Sequence, residues 1–483
     1  MSSSMRHMII LLPGIMGSAL QKDGKDLWAL SGQALWQYLT NLKNTVQQMR
    51  LGDEDWTVDD RGDGVHASRL IEDLHSIPPF VEHAGYSVIR KGIREFFGLT
   101  EGSIDSPSEQ ASFYPFPYDF RRDNRVAARK LQEFVQAQLP KWRAWSGADD
   151  AQVILIGHSM GGLVSRYYLE VLGGWRDCIA AITVGSPHRG AIGAIDGLSN
   201  GVKKLAIDFT DVMRSFPSAY QIAPTYPVVK SGHQYVRASE TDDIPNVDQA
   251  RAKAGRDDFL DAIRLAAIEN RKDPQYVQRL IPWVGTRQDT QQSAVLSGGK
   301  LIPSYDAPAG LDPSLVDGDG TVPRVSAVPA DLDGQRLERF AVERHGWLTN
   351  NPMTLQPLLA TLQQIASPGA GDMFGIEPEA PQPAINLRMD SLFLKDEPVS
   401  IRVKLVDAGE APQNVTLHFR PVGHAAEELA QTVSASAAEP VDVELSGLAP
   451  GLYELTAGPE TPGAGAPGPT HGVFEVAESA TVD

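Results

Sequence analysis

The 483-residue sequence predicts an α/β chain, with a parallel sheet covered by helices, a lid insertion and a separate β-rich unit near its C-terminal end. Three observations predict it. Short continuous apolar runs alternate with helical patterns up to about residue 365. That rhythm breaks between about residues 196 and 273. Beyond a stretch rich in Pro and Gly the chain changes to short alternating or β-branched runs.

In chain order, Met8-Ile9-Ile10-Leu11-Leu12 reads as a buried parallel strand. A Trp-bearing, helix-like region follows through about Phe97, then the aromatic run Phe113-Tyr114-Pro115-Phe116. Residues Val126 to Trp145 place Leu131, Phe134, Val135, Leu139 and Trp142 on one side of an amphipathic helix. Val153-Ile154-Leu155-Ile156 is the next strand, a helix runs from Met160 to Leu172, and Ile179 to Val184 is another strand. The insertion carries Phe209, Val212, Met213, Phe216, Tyr220, Ile222 and Tyr226 without strand alternation and reads as a lid. Strands resume at Leu280-Ile281-Pro282-Trp283-Val284 and Arg339-Phe340-Ala341-Val342.

The predicted division is an α/β unit over residues 1–366, a linker over 367–384 and an acidic β-sandwich over 385–483. Leu448-Ala449-Pro450-Gly451-Leu452-Tyr453 looks like the tyrosine corner of immunoglobulin-like domains, over that turn alone. From Ile376 to Asp483 there are 17 acidic and 5 basic residues, a net of −12 out of −18 for the whole chain. This unit is expected to solubilise or to dock a protein partner, uncoupled from the chemistry of the first.

The overall charge disfavours nucleic acid and electrostatic attachment to anionic membranes, so contact with lipid has to use apolar surface. The single cysteine, Cys178, excludes an intramolecular disulfide and an all-cysteine metal site, and its apolar neighbours suit a small buried thiol. The N-terminal apolar run is too short for a signal-peptide core, and no stretch approaches a membrane span, which favours a cytoplasmic location.

Two G-x-S-x-G matches occur, Gly157-His158-Ser159-Met160-Gly161 and Gly197-Leu198-Ser199-Asn200-Gly201. A nucleophile elbow needs a strand, a tight turn and a helix, with tiny residues two before and two after the serine. Only Ser159 has that context, and Ser199 reads as a loop serine. A nucleophilic serine needs a base and a group orienting it, in the order Ser, acid, His for an α/β-hydrolase fold. Among the histidines after Ser159, His188 precedes any suitable acid, His233 lies in the lid, and His418, His424 and His471 lie in the β-sandwich. His345 follows a strand and is the base candidate. The acid lies in Val316-Asp317-Gly318-Asp319-Gly320-Thr321; flanking glycines favour Asp319, with Asp317 the alternative. A calcium loop is not completed there, because Thr321 stands at the fifth ligand position, and neither metal nor cofactor is expected. The oxyanion donors are assigned to the backbone N–H groups of Met160 and Ile15, the latter in Pro13-Gly14-Ile15-Met16-Gly17-Ser18.

These stations together with Tyr118-Asp119-Phe120-Arg121 resemble the lecithin:cholesterol acyltransferase-like family of α/β-hydrolases, which includes lysosomal phospholipases, over about residues 8–365. The resemblance implies serine acyl chemistry on lipid esters, points to Asp319 over Asp317, and leaves the β-sandwich outside its reach. The expected function is therefore a phospholipase, a lipase or a lipid acyltransferase. A soluble small-ester carboxylesterase and an inactive hydrolase-fold binding module are the rival readings.

Overall fold

The structure, a computed structural model, describes residues 5–29, 47–53, 55–72, 75–77, 81–83, 85–108, 110–204, 207–332, 338–367, 383–409, 411–423, 425–463 and 465–478. Its centre is a six-stranded parallel sheet of β1 (Met8–Leu12), β2 (Phe113–Pro115), β3 (Val153–His158), β4 (Cys178–Val184), β5 (Leu280–Thr286) and β6 (Arg339–Val342). The spatial order is β6-β5-β4-β3-β1-β2. Every residue of β1, β3 and β5 is buried, which is why these runs are continuously apolar and do not alternate.

Separate apolar clusters cover the two faces. On one, Leu131, Val135 and Leu139 of α2 (Asn124–Ser146) and Leu163 of α3 (Met160–Glu170) meet Ile10, Leu12, Val153 and Leu155. On the other, Ile89 and Ile93 of α1 (Ser87–Phe97) and Leu358 and Leu362 of α5 (Pro352–Ala366) meet Ile9, Leu11, Ile154 and Ile156. A further helix, α4 (Ile192–Asn200), follows β4. Alternate residues of one strand thus serve opposite cores.

Three expectations need correction here. Among the described residues up to Phe97, Gln47, Gln48 and α1 are helical, but the region is not helix throughout. Its other described elements include the strands Ser18–Lys22, Lys25–Trp28 and Val65–Leu70, which form one sheet. Ser199 lies near the end of α4 and not in a loop, because the glycine-containing segment after Ala191 closes a helix against the lid. The lid is not free of strands: Val229–Ser231 and Gln234–Val236 join Ser293–Ser297 and Lys300–Ser304 in one sheet. Its seven large apolar residues are all buried, Phe216 and Val212 completely: six fill the core beside Phe120, Trp28 and Leu198, and Tyr226 packs in a separate cluster with Ile192 and Ile195.

The C-terminal unit consists of a three-stranded sheet, in order β7 (Ala384–Met389), Val399–Val406 and Val441–Leu445, and a five-stranded one. The second runs Leu392–Leu394, β8 (Thr470–Ala477), Gly451–Pro459, Gln413–Val422 and Leu429–Ala435. Ile401 and Val403 from one sheet and Leu417, Phe419 and Phe474 from the other share one apolar core. The Tyr453 hydroxyl donates to the Ala449 carbonyl at 2.8 Å.

This unit is not uncoupled from the first. The Gln288 amide donates to the Ile385 carbonyl (3.0 Å) and accepts from the Leu387 N–H (3.2 Å), while Arg344 donates to the Leu387 carbonyl (3.0 Å). Of the expected linker, residues 368–382 lie outside the described residues.

Candidate active site

The elbow follows from how closely strand and helix approach. A Cβ on Gly161 would lie 2.4 Å from the Pro13 carbonyl oxygen, and one on Gly157 would lie 2.5 Å from the Gly162 backbone. Any larger residue at either position would push α3 off the sheet. Between them Ser159 takes φ 51°, ψ −124°, a strained conformation for a non-glycine residue, and holds it through its N–H bond to the Val184 carbonyl at 2.8 Å. Gly162, which the sequence reading did not single out, is equally constrained, because its Cβ would strike the Ser186 side chain.

Ser159 Oγ lies 3.0 Å from His345 Nε2, and His345 Nδ1 lies 2.7 Å from Asp319 Oδ2. His345 sits in a single 3-10 turn after β6, anchored by its own N–H to the Asp319 carbonyl at 2.8 Å. Asp319 is 1% exposed; its other oxygen accepts the N–H groups of Thr321 (3.0 Å) and Val322 (2.7 Å). The carboxylate is thereby aimed at the imidazole. Asp317 points elsewhere, accepting the Arg287 N–H at 3.2 Å, and burial raises its pKa against the opposing pull of the Arg324 charge.

The Pro13–Gly17 turn crosses above the serine: a Cβ on Gly14 would lie 2.9 Å from Ser159 Cβ. Ile15 follows it, and Met160 opens α3, where the first N–H groups of a helix have no intrahelical partner. Neither N–H has a hydrogen-bond partner among the described residues. The Tyr118 hydroxyl donates to the Pro13 carbonyl at 2.8 Å and bolts this turn down. Its neighbours Asp119 and Arg121 form an ion pair (2.7 Å) around a guanidinium with no exposure. The Tyr118–Arg121 motif is therefore scaffolding for the turn over the serine.

Two residues escaped the sequence reading. The Gly14 N–H donates to the Tyr86 hydroxyl (2.7 Å), which lies 2.9 Å from His158 Nδ1; His158 Nε2 lies 3.2 Å from the His345 carbonyl. With the tyrosine donating to Nδ1 and Nε2–H donating to the carbonyl, every polar atom of this buried file is matched. Burial, and then the neighbouring His345, push the His158 pKa down to about 3, so the ring is neutral. His158 lies before the serine, where the Ser, acid, His chain order places no base, and nothing local marks Tyr86. His188 is buried against Thr183 Oγ1 at 3.1 Å, Ser199 Oγ is buried and bonds to nothing among the described residues, and Cys178 is buried, which raises its thiol pKa.

Ser159 and His345 are 8% and 9% exposed. A cleft of about 640 Å³, lined by Trp56, Asp123, Arg125, Tyr220 and Arg251 among others, touches neither. Among the described residues no group of His, Cys, Asp or Glu could hold a metal ion, and no helix is long and apolar enough to cross a membrane.

Residues 109–255 match the lecithin:cholesterol acyltransferase family model, in agreement with the resemblance read from the sequence. No curated protein matches the chain. Among solved structures it is similar to the Bacillus licheniformis lipase BlEst2. The mature form shares 13% identity, covers 74% of this chain and 92% of that chain, and has a TM-score of 0.30. The propeptide form shares 12% identity over 97% and 93% of the two chains, with a TM-score of 0.31. A CARDB domain from Pyrococcus furiosus shares 9% identity over 20% of this chain and 90% of that chain, with a TM-score of 0.15.

Proposed function

Starting from the lecithin:cholesterol acyltransferase match over residues 109–255, we propose that this protein is a serine hydrolase or acyltransferase acting on acyl esters of lipids. The observation that carries this reading is the hydrogen-bonded file Ser159–His345–Asp319. His345 takes the proton of Ser159 as Oγ bonds to the ester carbonyl carbon, and Asp319 stabilises the resulting imidazolium. The oxyanion is received by the N–H groups of Ile15 and Met160. His345 then protonates the departing alcohol as the ester C–O bond breaks, leaving an acyl-serine. Water, or a lipid alcohol, attacks in turn, gives its proton to His345 and restores Ser159.

In this reading the C-terminal unit is an immunoglobulin-like sandwich, and the lid opens to admit the acyl chain at a membrane surface. The burial of all seven large lid residues favours a second reading, a carboxylesterase for small soluble esters. Fluorophosphonate labelling tests the chemistry. Ser159 is expected to be the labelled residue, and Ser159→Ala to lose labelling and about 10⁴-fold or more of the turnover. Labelling at Ser199, or none in the folded protein, would refute the assignment. A sharp rise in turnover of a long-chain ester once it aggregates favours lipid; a smooth passage through that point favours the small-ester reading.

A further inference from the structure

Two residues before His345 stands Glu343, whose carboxylate is completely buried. It accepts hydrogen bonds from its neighbour Arg344 N–H (2.7 Å) and from the Asn351 amide. The other two come from β8 of the C-terminal unit, where the His471 main-chain N–H donates to Oε1 (3.1 Å) and its Nδ1 lies 2.8 Å from Oε2. The same His471 ring stacks on Trp347, two residues after His345, with ring centroids 4.8 Å apart and planes 23° from parallel. His471 thus grips the His345 turn on both sides, by hydrogen bonds before it and by a ring face after it.

The Asp319 loop is backed from the same direction. Gln288, clasped to Ile385 and Leu387 of β7, donates its main-chain N–H to the Gly318 carbonyl at 3.0 Å. Thr290 Oγ1 accepts the Gly320 N–H at 2.8 Å, and Asn386 of β7 donates to the Arg287 carbonyl at 3.1 Å. A docking surface for an outside partner would have no need to bury a carboxylate next to the base. A buried carboxylate is stable only while its donors are in place, so the contact is specific in geometry as well as in area.

We infer that the C-terminal unit is part of the active-site framework, with His471 a positioning residue that sets His345 against Ser159 and Asp319. The inference rests on the triad proposed above. A displaced imidazole lowers the rate of proton transfer while leaving the ester's binding groups untouched, so the effect falls on kcat and spares KM.

The test uses full-length protein, a short soluble ester, and fluorophosphonate titration to count folded sites, well below the melting transition. His471→Ala is expected to lower kcat about 10- to 100-fold with KM changed less than about twofold. His471→Asn, whose amide nitrogen can stand where Nδ1 stood, is expected to recover most of the loss. Arg402→Ala, which breaks the exposed Arg402–Asp442 pair elsewhere on the same unit, is expected to leave kcat unchanged. A wild-type kcat in His471→Ala, or Asn no better than Ala, would overturn the inference. Should His471→Ala fail to fold, Gln288→Met decides: a fall in kcat at constant KM supports the framework role, and an unchanged kcat overturns it. If wild-type Ser159 is not labelled at all, it is the triad that fails and not the clamp.

Discussion

At Asp319 and Asp317 the difference between two neighbouring carboxylates is one of direction. Asp319 accepts two backbone N–H groups on one oxygen and faces His345 with the other, while Asp317 turns to the Arg287 N–H. Asp319→Asn is therefore expected to lower turnover about 10⁴-fold, since an amide favours the wrong imidazole tautomer. Asp317→Asn should cost far less; the reverse ranking in steady-state kinetics would move the acid. His158 makes a second prediction, on stability. Its pKa is about 3 in the folded protein against an ordinary value of 6.5, so the unfolded chain binds a proton that the folded one refuses. The stability is present above pH 6.5 and drains away as pH falls towards 3. By pH 5 the loss amounts to about 2 kcal/mol for this group. Calorimetry at pH 7 and pH 5 should show a smaller drop in melting temperature for His158→Gln than for wild type, and equal drops would remove His158 as the cause. His7, pushed down to about 4 chiefly by burial, acts in the same sense and is common to both proteins.

The elements around the site are placed by contacts that local sequence does not announce. In the lid, Phe216 is fully buried with its ring centroid 6.2 Å from that of Phe120, which carries on directly into the ion-paired Arg121. An apolar run read along the chain does not say whether it faces lipid or a core, because both demand the same side chains. Here the core has them. Phe216→Ser is accordingly expected to destabilise the fold by about 3–5 kcal/mol, as large-to-small core changes do, and not merely to blunt a response to aggregated substrate. Denaturant unfolding measures this; a loss below about 1 kcal/mol would put Phe216 on a mobile surface after all. The first strand, its turn and the elbow were legible in advance because their constraints are local. Gly157 and Gly161 are demanded by backbone approach, and Ser159 follows a run of β-branched and leucine residues. Tyr86 and Tyr118 brace the same turn from 72 and 105 residues away, and only the folded chain joins them to it.

On the scale of the whole molecule, the C-terminal unit reads as an independent, acidic and solubilising appendage, yet it exchanges hydrogen bonds with the segment that carries His345 and with Arg287 and Gln288, which back the Asp319 loop. A chain ending at Ser367 would bare the Glu343 carboxylate, the Trp347 face and the Gln288 amide. It is expected to melt at a lower temperature and to turn over a short soluble ester more than about tenfold more slowly. A folded truncation with full activity would show that the contact is idle. What the amino-acid sequence determined by itself was every feature set by neighbours along the chain. These are the apolar runs of a sheet buried on both faces, the glycine-bounded turn at Ser159 and the β-branched strands after residue 384. The tertiary structure alone decided that the lid's apolar residues fill a core and that His471 holds the His345 turn. Each of those depends on where a side chain meets a partner far off in sequence, and such a meeting is settled by burial and hydrogen-bond completion in the folded chain, which leave no local periodicity behind.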